Sequence, residues 1–137
     1  MELRRARWAR RAVAFGIVLL VAAAHVVGIG RHAQGELFRL YYSFFSDVVI
    51  PFAYYFLLCQ SEDNLPLLRS WIVKSAVVFL LPATAETLQY FGVPLLGSTF
   101  DPLDYLMYAA GALAAALVDV QLLSRVFGFW MRARAEA

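Results

Sequence analysis

Six polar side chains interrupt otherwise apolar stretches of this chain: His25, Asp47, Glu86, Gln89, Asp101 and Asp104. Carboxylates and an imidazole in such surroundings bind cations, exchange hydrogen bonds or move a proton. Glu86 and Gln89 stand three apart and so share a helix face. Asp104, Tyr108, Gly111 and Ala115 fall on one stripe at helical spacing. Gly111 and Ala115 form a small-xxx-small pair, which lets helix backbones approach closely in lipid. Turning that stripe inward carries Asp104 toward Glu86.

Structural roles compete with chemical ones at each position. Asp101 followed by Pro102, with Asp104 in the first turn, makes a good helix start: cap, proline at N1, and an acid favoured by the dipole. Placing Glu86 inside an apolar span costs roughly 2–3 kcal/mol on insertion scales. Protonation, or a hydrogen bond to Gln89 as structural glue, would relieve that cost. Asp47 has Arg39 and His25 as candidate partners, and His25 near Gly28 also reads as a packing histidine.

The elements that must position these groups are four apolar runs, 12–30, 41–59, 71–91 and 102–123. Hydrophobic residues make up 62% of 137 and mean hydropathy is +0.66, well above the balance of a soluble domain. A helical crossing takes about 20 residues, so four crossings leave room only for short links and two tails. The expected fold is an all-α integral membrane protein, a single four-transmembrane-helix bundle over 1–137 with no separate soluble catalytic domain. The basic start before the first run resembles a secretory signal, but the run is long for one and three more follow. Ser61, Glu62, Asp63, Asn64 and Pro66 form one polar link, and Gly92, Pro94, Gly97 and Ser98 form another. Pro51 and Pro82 cannot bond the carbonyls of Asp47 and Val78, which predicts bends there.

Basic residues set the orientation. Arg4, Arg5, Arg7, Arg10, Arg11, Arg69, Lys74, Arg125, Arg132 and Arg134 fall on one side, and only Arg31 and Arg39 on the other. That asymmetry predicts both termini in the cytoplasm and a cytoplasmic (inner) membrane location. His25, Asp47, Glu86 and Gln89 then lie within about 9 Å of the outer ends of their helices, where Asp101 and Asp104 begin the fourth. Lys74 and Asp119 fall close to the inner boundary, where snorkelling keeps such groups solvated. The inner half is expected to be almost free of polar groups.

The single cysteine, Cys59, leaves no internal disulfide and no Cys-based metal site, and it reads as an inert thiol. No metal or cofactor is expected. The N-terminal arginines are explained by topology, with anionic lipid contact secondary, and nucleic-acid binding is not expected.

The segment from Glu86 to Asp119 resembles the VanZ-like family of small bacterial membrane proteins. Glu86 and Gln89 match that family's Glu-x-x-Gln, Asp101 and Asp104 its two acids, and Gly111 its glycine. Two positions depart from the pattern: Ser98 stands for the usual Arg and Tyr108 for the usual Asn. The resemblance implies a fold and a site more than a reaction; the founding member is linked with teicoplanin resistance. On this reading the chain is a non-enzymatic envelope protein whose outward acidic cluster binds an envelope lipid or glycan precursor, or an amphiphile. The alternatives are an enzyme on a lipid-linked substrate with Glu86 or Asp104 as general base, an assembly partner in a larger membrane complex, or a proton-coupled homo-oligomeric transporter. The transporter ranks last because polar residues are not spaced through the bilayer.

Overall fold

Long runs rich in Leu, Ala and Phe favour helix, and the described chain folds as helices and short links. The computed structural model describes residues 2–28, 34–93 and 100–131, apart from the side chains of Leu40 and Tyr42. Gly30, Arg31, Pro94, Gly97, Ser98, Arg132 and Arg134 lie outside the described residues. The helices are α1 (Glu2–Val27), α2 (Glu36–Leu58), α3 (Trp71–Tyr90) and α4 (Pro102–Leu117). Four stretches are long and apolar enough to cross a membrane: Glu2–Val27, Ser43–Ser61, Trp71–Tyr90 and Pro102–Val126.

Local chemistry sets several boundaries. Ser70 caps α3, its Oγ accepting from Val73 N at 3.5 Å. Asp101 caps α4, accepting from Leu103 N at 2.9 Å with Pro102 next in line. A 3-10 turn, Cys59–Ser61, prolongs α2, and another, Pro66–Arg69, leads into α3. Pro51 and Pro82 sit inside helices that continue through them. Helix α1 differs most from the sequence reading. It begins at Glu2, so the arginine-rich segment is part of the helix rather than a solvated leader to it.

Helix α4 does not stop at Leu117. It widens into a π-helical segment, Val118–Leu123, and closes with an α turn, Ser124–Val126. Such wide turns break the regular ladder, and here Ser124 Oγ donates to the Val120 carbonyl at 2.5 Å. Phe127 then leaves helical geometry, and Trp130 folds back into the core, fully buried.

Helices consecutive in the chain run antiparallel, so α2 and α4 run parallel, Val48 meeting Gly111 and Tyr55 meeting Asp119. Helices α2 and α4 form the most extensive pair, with α1 against α2 and α3 against α4. The α2–α4 contact is closest at Gly111, where a Cβ would lie 2.1 Å from the Val48 carbonyl oxygen and 3.2 Å from Pro51 Cβ. Tyr55, Phe56, Val78, Ala112, Ala115, Ala116 and Leu123 fill the core around that seam. Large aliphatic side chains such as Leu20, Val26, Leu106 and Leu117 face outward, as expected where the surrounding solvent is lipid.

Candidate functional site

Polar groups gather at two levels of the bundle. The distal end, away from the start of α1, carries His25, Asp47, Glu86, Gln89, Asp101 and Asp104. The basal end, where α1 begins and α4 finishes, carries a second group that sequence reasoning missed.

At the distal end, Asp47 comes from α2, Glu86 from α3, and Asp101 and Asp104 from the start of α4. Glu86 is buried, 3% exposed. Its Oε1 accepts from Asp101 N at 2.7 Å and its Oε2 from Tyr108 OH at 3.5 Å. The Glu86 carboxylate therefore ties α3 to the backbone of the residue that caps α4, while the Asp101 side chain is engaged as the cap. Asp47, Glu86, Asp101 and Asp104 lie near enough to repel one another electrostatically. Among the described residues, no cationic side chain is ion-paired to any of the four. Asp47 pairs with neither partner expected for it. Arg39 sits 3.8 Å from Glu36, one turn away on its own helix, and His25 Nε2 lies 3.1 Å from Ser46 Oγ.

His25 is exposed on the α1–α2 seam, its ring 5.3 Å from that of Phe45. It has no hydrogen bond or ion pair to the carboxylates among the described residues. Gln89 follows Glu86 on the same side of α3 and is half-buried. Tyr108, Gly111 and Ala115 are buried and Asp104 is half-buried, so the stripe on α4 faces inward. Tyr105, which sequence reasoning passed over, joins the rim, with its OH 2.8 Å from Thr87 Oγ1.

The basal end overturns the expectation of an apolar inner layer. Lys74 and Asp119 are not solvated at a boundary; both are 0% exposed. Lys74 Nζ donates to Asp119 Oδ2 at 2.9 Å, to Glu62 Oε1, and to Cys59 Sγ at 3.3 Å. Asp119 also accepts from Tyr55 OH at 2.7 Å and from Trp130 Nε1 at 2.8 Å. Glu62 is held on its other side by Arg10 Nη2 at 2.5 Å. Two cation–π contacts close the set: Lys74 Nζ lies 4.6 Å from the Tyr55 ring centroid, and the Arg10 guanidinium 5.1 Å from that of Trp130.

Two buried cations thus meet two buried anions, and the group is neutral. Its members come from α1, α2, the α2–α3 link, α3, the π segment and the chain beyond it. Snorkelling fails as an account because the link and Trp130 cover these groups from the basal side. Arg10 and Lys74, read from the sequence as orientation signals, are internal counter-ions. Glu62, read as part of a polar loop, is 1% exposed.

Cys59, Glu62 and Asp119 present ligand atoms within 4.8 Å of one another, a mixed grouping that having a single cysteine does not rule out. The Lys74 ammonium touches all three, so it supplies the positive charge that a metal ion would bring. Taken as chemistry, the basal group is a charge-balanced lattice and the distal one is an acidic cluster without an ion-paired cation among the described residues.

A scan against protein-family models, a search of curated proteins and a search of solved structures each found no match.

Proposed function

We propose that this chain is a multi-pass protein of the bacterial cytoplasmic membrane. Its distal carboxylates face the outside and bind the cationic or hydrogen-bond-donating headgroup of an envelope amphiphile. Convergence of Asp47, Glu86, Asp101 and Asp104 from three helices, with no paired cation among the described residues, carries the reading. Like charges held together in a medium of low dielectric are costly, and a bound cation offsets that cost. The absence of any nucleophile–base pair among its described residues favours binding over turnover.

Orientation in this reading rests on the basic residues at the basal end. Arg10 and Lys74 are internal, and the asymmetry stands without them. The kinship with VanZ-like proteins is likewise proposed, on Glu86, Gln89, Asp101, Asp104 and Gly111.

The test is binding by the full chain in lipid nanodiscs, with dodecyltrimethylammonium as cationic probe and a zwitterionic detergent of equal tail length as control. Asp47→Asn and Asp104→Asn together should weaken binding of the cation about tenfold or more, with helical content unchanged, because each removes a charge from a poorly solvated cluster. Equal binding of both probes, or wild-type affinity in the double variant, would refute the proposal.

A further inference from the structure

The geometry points to a binding site for a phosphate-bearing anion at the basal end, in a cavity walled by one stripe of α1. Arg4, Arg7, Trp8 and Arg11 recur at the spacing of a single helix face and, with Asp63, line a space of about 220 Å³. Arg11 is already engaged: its Nη2 donates to Asp63 Oδ2 at 2.7 Å and its guanidinium lies 5.9 Å from the Trp8 ring centroid. Arg4 and Arg7 have no ion pair among the described residues.

Three guanidinium groups against one carboxylate leave the walls with an excess of two positive charges. Planar, multidentate donors of this kind match phosphate oxygens better than an ammonium does. Neighbouring Arg10 is excluded from the role, since Glu62 neutralises it inside the core. Trp8, 63% exposed on the same stripe, has the amphipathic character that suits the boundary between acyl chains and headgroups. That placement favours an anionic phospholipid headgroup over a soluble phosphate as the source of the anion. The site stands apart from the distal carboxylates and does not depend on their role.

Native mass spectrometry of the full chain in a neutral detergent provides the test, with phosphatidylglycerol, phosphatidylcholine and inorganic phosphate as probes. The wild-type chain should retain phosphatidylglycerol in preference to phosphatidylcholine. Arg4→Gln with Arg7→Gln should weaken that retention about tenfold or more, since each basic residue removed weakens the attraction to an anionic headgroup. Asp63→Asn should strengthen it, by removing the one negative charge in the walls. Displacement of the lipid by millimolar inorganic phosphate would make the source a soluble phosphate; resistance would make it the headgroup. Equal retention of the two lipids, wild-type retention in the folded Arg4/Arg7 variant, or weaker retention in Asp63→Asn would overturn the site. Should the Arg4/Arg7 variant fail to fold, the direction of the Asp63→Asn change decides.

Discussion

Lys74 is the residue on which the basal lattice turns, because its one ammonium answers Asp119, Glu62 and Cys59 together. Removing one partner of a buried ion pair leaves the other charge uncompensated, at a cost of about 3–5 kcal/mol. Lys74→Met should therefore lower thermal stability in detergent sharply, whereas Arg125→Met, at an exposed position bonded to Gln121, should be close to neutral. Asp119→Asn should be less harmful on the Lys74→Met background than alone, so a double-mutant cycle reads the coupling directly. This lattice was partly legible in the sequence. The inward stripe of α4, followed four residues past Ala115, reaches Asp119, and Val78 lies one turn beyond Lys74 on the buried face of α3. Arg10 and Glu62 were not legible, since nothing local distinguishes an arginine that marks orientation from one that enters a core. Their burial depends on the link and Trp130 folding over them, a tertiary fact with no signature in spacing.

Among the elements, α4 is the most heavily constrained. Its seam with α2 has no room for a methyl group at Gly111, and overpacking of this kind costs about 1–3 kcal/mol. Gly111→Ala should therefore destabilise the bundle. Gly16→Ala, whose added methyl would meet nothing within 4 Å, should be neutral or gain up to about 1 kcal/mol of helix propensity. Thermal denaturation of the two variants side by side separates packing from propensity. The end of α4 is fixed differently. Trp130 fills the basal core and donates to Asp119 across the π segment. Trp130→Phe keeps an aromatic ring and removes the donor, and should cost about 1–3 kcal/mol; a change no greater than that of Trp71→Phe, an exposed position, would show the bond to be dispensable. Apolar length made the existence of four helices plain, and the cap at Asp101 made the start of α4 plain. The start of α1 was obscured because a run of arginines reads as a boundary. The π turn was invisible, because no local propensity marks it; it carries Asp119, which accepts from Tyr55, Lys74 and Trp130.

Across the whole molecule, polarity is arranged in two layers with an apolar one between them. Val78, Ala112, Ala115 and Ala116 separate the distal carboxylates from the basal lattice. That middle layer argues against a proton path along the bundle, although the basal end is far from empty of polar groups. The basal layer holds helices together by paired charges, which are costly to bury singly and tolerable in pairs. The distal layer is left with like charges, and in the proposed orientation it faces the outside. Because Cys59 is buried, the native chain should give little background with thiol reagents, and single introduced cysteines can report sidedness. Leu103→Cys places a thiol on the exposed first turn of α4 and Leu3→Cys one on the exposed start of α1. Labelling of intact cells with a membrane-impermeant maleimide should modify Leu103→Cys and spare Leu3→Cys until the cells are permeabilised. Modification of Leu3→Cys in intact cells, with Leu103→Cys protected, would contradict the account.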